Sequence, residues 1–575
     1  MSSHPFRHSP LAAAILTLSL AGGAYAQSGD GDETTFSAPT LEVQSSADAS
    51  EEGLSPAFAG GQVAEGGRLG LLGNQDVMET PYNFTNYTEL LIEDQQAASV
   101  GEVLINDPAV RVARGFGNFQ QVYLVRGLPV FSDDMTYNGL YGLLPRQYLA
   151  SEFIQRVQVF RGANTFLKGA APGGSGLGGA VNVVPKRAPN YPLTQVTTGV
   201  ESGGHAYAAA DVARRSEDGR YGVRVNAARR DGDTAVDGES RELSMSHIGL
   251  DYRGDDLRLS ADLGYQDHLM DASQPNITLA DGVAVPDAPD ASESVAQPWT
   301  FSESEDVFGT IRGEYDLNDA ITTWLAFGMR RGEEEATFAN PEFTQSNGDF
   351  SASRFDNTRE DDIQTGELGI RSSFQTGTIG HELTLSGSTY ELESKNAFVF
   401  GTSINSNLYD PQDRPAPALA SGTSFGDLDN PIVTERTELS SVALADKLSF
   451  LDETVLLTLG ARYQRIQTES FSSQTGAKNG DYDESDITPS LGVVYRYTPQ
   501  ISAYASYIEG LQKGDTVSAQ NAVNFGETLE PYATEQSELG FKYKGNNLGG
   551  SASVYYSRKP SAELDSNNVF RISDY

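Results

Sequence analysis

Residues 257 to 265 read LRLSADLGY, in which Leu257, Leu259, Ala261, Leu263 and Tyr265 alternate with Arg258, Ser260, Asp262 and Gly264. The same period of two recurs in VLLTLGARY (Val455, Leu457, Leu459, Ala461, Tyr463), ISAYASY (Ile501, Ala503, Ala505, Tyr507) and SASVYYS (Ala552, Val554, Tyr556). Successive side chains of a strand point to opposite faces, so each segment is a β-strand with one continuous apolar face. No apolar run reaches the roughly 18 residues that a membrane helix needs.

The links between these strands alternate in length. SEDG (216–219), RGDD (253–256), DLND (316–319), LDE (451–453), TPQ (498–500) and KGNN (544–547) are short and polar, as tight hairpins require. Residues 266–304, 331–363, 391–433, 467–485 and 511–533 are rich in Asp, Ser, Asn and Gly and are expected to be long loops at the opposite end. Short turns at one end, long loops at the other and strands with an unpartnered apolar face describe a transmembrane β-barrel. A soluble sandwich would not gather every long loop at one end. About 15 or 16 such strands are counted, and SNNVFRISDY at the end reads as a loop and the start of another strand.

The compartment follows from the N-terminus and the charge. MSSHPFRHSPLAAAILTLSLAGGAYAQ carries Arg7, an apolar stretch from Leu11 to Leu20 and small residues Ala24 and Ala26 before Gln27, so residues 1–26 read as a secretory signal peptide. The chain has no Cys, which excludes thiolate metal sites, cysteine catalysis and disulfides. With 40 Lys plus Arg against 79 Asp plus Glu, the formal charge of −39 argues against nucleic acid as a partner. Residues 27–75 are small, polar and acidic and read as a flexible tail, interrupted by PTLEVQSSA (Pro39 to Ala47), a candidate strand donor for a partner's sheet edge.

Residues 76–188 differ again and read as a small α+β domain. Ser99 and Glu102 form a capping box before a short helix that ends near Pro108. QQVYLVRGLPV reads as a strand with Val122, Leu124 and, past it, Leu128 at alternating positions; RQYLASEFIQRVQVFRGA reads as a short helix carrying Leu149, Phe153 and Ile154 that runs into the strand Arg156 to Phe160. GAAPGGSGLGGAVNVVPKRAP follows. Its glycines precede a Val-rich strand rather than a helix N-terminus, so it is not a phosphate-cradling loop.

YLVRGLPV, IQRVQVFRGANTFLKG and PGGSGLGGAVNVVPKR, in this order and spacing, resemble the plug domain of TonB-dependent outer-membrane receptors. The signal, tail and alternating strands extend the resemblance over the whole chain, and TYNGLYGLLP and EQSELGFKYKGN resemble the siderophore-receptor branch. The resemblance implies an all-β transmembrane barrel of 22 strands in the Gram-negative outer membrane with the plug inside it. Residues 189–575 would then be an incomplete barrel lacking about six strands. Arg126 and Arg161 match plug arginines that pair with two barrel glutamates. Glu538 matches one of these, and the other would lie past Tyr575. Thr40, Leu41, Glu42, Val43, Gln44 and Ser45 stand where the TonB box is expected, near 40–46.

The family implies a monomer that pairs with TonB of the inner-membrane TonB–ExbB–ExbD complex. It would carry a ferric siderophore, with Fe(III) as cargo rather than cofactor, past lipid and lipopolysaccharide into the periplasm. Candidate ligand contacts at the plug apices are Arg114, Phe116, Phe119, Tyr137, Tyr141 and Leu143, an arginine beside aromatics that suits an anionic, aryl-bearing or hydroxamate chelate. No catalytic residue and no resident metal site is expected. Haem, cobalamin or oligosaccharide remain alternative cargoes. A barrel enzyme or passive porin is the alternative class, although the Glu333 to Glu335 run reads as a wet strand rim and a porin has no use for a plug.

Overall fold

The computed structural model describes residues 53–114, 120–517 and 521–573. The signal peptide and residues 40–45 lie outside them. Fifteen long strands run as an antiparallel meander from Leu193–Val200 to Gly549–Arg558. Two short strands, Thr278–Leu279 and Leu419–Phe425, are added within the long connections. Among the described residues the first and last strands of this sheet do not pair with each other.

The turns at one end, such as 319–320 and 377–378, hold five residues at most. All three connections longer than six residues, 272–300, 408–432 and 513–531, lie at the other end. Outward positions carry the apolar face: Leu259, Leu263, Ile311, Leu325, Leu368, Leu385, Val442, Leu444, Leu459 and Leu539 are all exposed, as lipid contact demands. Near the short turns Tyr221, Tyr252, Tyr315, Tyr495 and Tyr543 form an aromatic girdle.

The expected loops 331–363 and 391–433 are largely strand. Ile321–Phe343, Asp349–Thr376 and Ile379–Asn407 hold 23, 28 and 29 residues, far more than the roughly 10 needed to cross a bilayer. Beyond the lipid the outer face no longer needs to be apolar, so the hydrophobic alternation fades while the hydrogen-bonded ladder continues. One face of this extension is closed by the long loops, with Val295, Trp299 and Leu408 packed on Ala339, Phe343 and Phe350.

The plug fills the barrel. Its main sheet runs in the order Asn83–Thr88, Ile154–Arg161, Gly179–Pro185, Thr136–Tyr137, Leu140–Tyr141, and a second, three-stranded sheet joins Val110–Arg114, Val122–Val125 and Leu128–Phe131. Ser99 caps the helix Val100–Leu104, and its hydroxyl accepts from the Glu102 amide at 3.4 Å. Two segments differ from the expectation. Residues 53–75 are not tail but part of the packed domain, because Leu54, Leu69, Leu71 and Leu72 give the Gly-rich stretch enough apolar surface to bury. RQYLASEF is not a helix: Ser99 bridges Ala150, and Gln266 of the barrel takes the Tyr148 carbonyl and the Ala150 amide, so the backbone bonds across rather than along the segment.

Candidate functional site

Arg126 and Gly127 form a two-residue hairpin turn, both with positive φ (53° and 82°), between the strands Val122–Val125 and Leu128–Phe131. The turn projects the Arg126 side chain at the barrel wall. Its Nη1 lies 2.7 Å from Glu538 Oε2 with both side chains nearly dry, and its guanidinium stacks over the Tyr555 ring at 4.0 Å. The Tyr504 hydroxyl donates to the other Glu538 oxygen. The carboxylate therefore has a partner on each oxygen, which offsets the desolvation that burying an ion pair costs.

Arg161, expected to face a second barrel glutamate, is held within the plug. Its Nε donates to Asp107 at 3.0 Å, Nη1 to Asn83 at 2.6 Å and Nη2 to Thr85 at 2.6 Å. Asp107 is fully buried, so it gives this arginine a carboxylate of its own and the two plug guanidiniums do not compete for Glu538.

A second lock stands where the glycine run leaves the plug. Arg187 makes a two-pronged pair with Asp262, whose second contact is 2.7 Å, and His247 and Thr310 complete the shell of that carboxylate. Beside it Glu89 bridges Lys186 at 2.9 Å and Arg224 at 2.8 Å. Burial raises the Glu89 carboxyl, but those two cations overcome it and hold the group down at about 2. The glycines are needed for space: a Cβ on Gly178 would lie 2.4 Å from the Val125 carbonyl oxygen, and one on Gly179 2.4 Å from that of Phe160. Upstream in the run, Asp134 accepts the Gly173 and Ser175 amides at 2.6 and 2.8 Å, and burial, with Asp133 adding to it, pushes its carboxyl up to about 7.

The barrel also grips the plug by its backbone. A loop-rich plug has buried carbonyls that no ladder satisfies, and long barrel cations supply the donors. Arg462 donates to Phe166 and Leu167, and Arg330 to Leu144. At the short-turn end Lys542 donates to the carbonyls of Val77, Thr80 and Tyr82 at 2.8, 2.6 and 2.8 Å. Around it Lys544 pairs with Glu65 and Asp76, and Arg496 with Glu79.

Three of the expected ligand contacts are packing residues. Tyr137 is buried, edge-on to Phe308 with its hydroxyl 3.0 Å from His247. Tyr141 is buried against Tyr390 and Ile363 and reaches the Gly169 carbonyl at 3.4 Å. Leu143 presses on the wall so closely that a Cβ on Gly328 would lie 2.5 Å from it. All three sit where the plug meets the strand wall. Arg114 closes the strand Val110–Arg114; its side chain, with Phe116 and Phe119, lies outside the described residues.

An aromatic wall that the loop expectation concealed stands above them. Arg330 and Glu334 touch the plug, so even positions of the strand Ile321–Phe343 face the lumen. Phe338 shares that face, pairs with Phe355, and Phe355 in turn with Phe400. Phe398 lies on the same face and pairs with Phe425. The rings form a cluster with centroids 4.7 to 5.7 Å apart along Phe400, Phe355, Phe398 and Phe425. Phe400 remains 41% exposed and Phe425 38%. NAFVFGT carries the period-two signal in Phe398 and Phe400, although within a polar segment. No cluster of three or more His, Asp or Glu suited to a metal ion occurs among the described residues.

Residues 207–565 match the family model of the TonB-dependent receptor-like β-barrel, and residues 76–175 that of the TonB-dependent receptor plug domain. The ferrichrome receptor FcuA of Yersinia enterocolitica is 35% identical over 523 residues, 90% of this chain and 69% of that protein. Among solved structures, the ferric preacinetobactin receptor BauA of Acinetobacter baumannii superposes with a TM-score of 0.82 at 32% identity, over 90% of this chain and 77% of that one. The pyoverdine receptor FpvA of Pseudomonas aeruginosa shares the fold at 19% identity, with a TM-score of 0.75 over 89% of this chain and 76% of that one.

Proposed function

The chain belongs to the TonB-dependent receptors, and from that membership we propose that it imports a ferric siderophore across the outer membrane, with energy delivered through TonB. The observation that carries this reading is the plug seated inside the barrel, joined to its wall by Arg126–Glu538 and Arg187–Asp262 and by cations on its carbonyls. A plug held to the wall in this way fits a gated importer better than a pore. An outer membrane holds no nucleotide supply, so work to move the plug has to reach it from the periplasmic side. The segment Thr40 to Ser45 would supply the strand that pairs with TonB by edge addition. The similarity to FcuA and BauA supports a siderophore as cargo.

Deletion of residues 40–45 tests the reading. Cells carrying that variant are expected to bind iron-labelled siderophore at the surface and to accumulate none. Accumulation at the undeleted rate would refute the coupling, and growth rescue by haem or cobalamin alone, with every siderophore failing, would refute the cargo.

A further inference from the structure

We infer that the passage for cargo opens along one wall of the barrel, between plug residues 139–141 and 168–170 and the strands Asp349–Thr376, Ile379–Asn407 and Val433–Phe450. This inference rests on the import reading above. Glu367, Ser388, Ser441 and Gln464 pair directly from strand to strand and form a row on the lumenal face of this wall. A cavity of about 30 Å³ lies between that row and Gly139, Lys168 and Gly169 of the plug.

The two sides meet loosely here. A Cβ on Gly139 would come no closer than 3.9 Å to Glu367, and one on Gly169 would stop 3.7 Å from the Ser441 hydroxyl and 3.8 Å from that of Ser388, against 2.4 Å from a neighbouring carbonyl oxygen at Gly178 and Gly179. The charges facing the cavity are each satisfied on their own side. Glu367 pairs with Arg312 of the barrel at 2.8 Å, whereas Lys168 donates to the Thr136 hydroxyl of the plug at 3.1 Å and stands over the Phe160 ring. Polar atoms in and beside the row, Gln464 Oε1 and the hydroxyls of Thr384 and Ser386, are buried without a protein partner, so they call for water in this seam.

The ion pairs described between plug and wall fall on other strands. Glu89 and Arg187 are bound to Arg224 and Asp262, Arg146 to Glu334 and Arg126 to Glu538. Parting the plug from those strands would leave buried charges unpaired, which is costly, whereas parting it here widens a space that is already wet. Arg462, on the carbonyls of Phe166 and Leu167, marks one border of the seam. Once open, this wall would present hydroxyls and an amide to the solute, a surface that a hydrated chelate can slide along without losing its water.

Because the chain has no cysteine, single cysteines report the opening. Ser388→Cys and Ser441→Cys, with Ser260→Cys on the strand that carries Asp262 as reference, are exposed to a charged thiol reagent in cells fed radio-iron as a hydroxamate or a catecholate complex. Labelling at 388 and 441 is expected to rise at least tenfold during import and to stay at its resting level when residues 40–45 are deleted, while labelling at 260 does not change. Import with no rise at 388 and 441, or with an equal rise at 260, would overturn the route and leave the siderophore reading standing. Ser388→Trp is expected to keep heat-modifiable migration on a gel and surface binding of the iron complex, and to import at least tenfold more slowly. Unimpaired import by this folded variant would likewise overturn the route. If the wild type imports neither complex, the siderophore reading falls and the route falls with it.

Discussion

Arg126 and Glu538 are 412 residues apart in the chain and 2.7 Å apart in the fold. The pair joins a plug hairpin turn to a barrel strand in a nearly dry setting. Removing one partner leaves the other charge buried and alone, which typically costs about 3–5 kcal/mol. Arg126→Ala and Glu538→Ala are each expected to lower the plug's unfolding midpoint in detergent. The double variant should lose less than the sum of the two, and strict additivity would show that the contact contributes no coupling.

Lys542→Met keeps the length of the side chain and removes three donors. The carbonyls of Val77, Thr80 and Tyr82 lose a buried partner, at a penalty of about 1–3 kcal/mol for each group left unsatisfied. Hydrogen exchange is expected to accelerate over residues 77–82 while the strand ladder of the barrel keeps its protection. Unchanged exchange there would mean that the segment is held by packing alone.

Asp134 ties plug stability to pH. Its carboxyl titrates at about 7 when folded against 3.8 for a free side chain, because burial and then Asp133 disfavour the charge. Between those values the unfolded chain has released the proton and the folded plug has not. The stabilisation from this group is thus complete at acid pH and declines as pH rises from about 4 through about 7. Asp134→Asn is expected to flatten that part of the stability profile, as followed by thermal melts from pH 4 to pH 8. A variant with the wild-type slope would assign the effect to another group.

Gly178→Ala and Gly179→Ala place a methyl group 2.4 Å from a backbone carbonyl oxygen, where no side chain can swing aside. The strand Gly179–Pro185 would have to shift, and overpacking of this kind costs about 1–3 kcal/mol. Both variants are expected to yield barrels with a loosened plug, seen as new protease cleavage between residues 169 and 189. Gly550→Ala, in a barrel strand with nothing near its Cβ and no positive φ, should be cleaved as the wild type is and serves as the control.

The strand meander and its uneven ends were legible because lipid imposes an apolar face on every crossing strand, as in Leu257, Leu259, Ala261 and Leu263. The strands above the lipid were not, since residues such as Glu333 and Glu335 satisfy a ladder as well as Leu does once the outer face is wet. The ion pair of Arg126 with Glu538 could be anticipated only from a resemblance, because a contact across 412 residues leaves no local pattern. Asp107 as the partner of Arg161 was hidden for the same reason, and Tyr137, Tyr141 and Leu143 look alike in sequence whether they meet a ligand or a wall. Residues 53–75 read as tail because their four buried leucines are scattered among glycines that give no period.

Lys542 holds its segment of the plug through main-chain oxygens. Its three hydrogen bonds are to carbonyl oxygens, which every amino acid supplies, so this part of the hold does not depend on which side chains stand at 77, 80 and 82, although Tyr82 adds a contact of its own through its hydroxyl, 2.9 Å from Ser490. What must be preserved there is the path of the main chain. An insertion or deletion within 77–82 would move all three oxygens out of register at once, whereas most substitutions would move none.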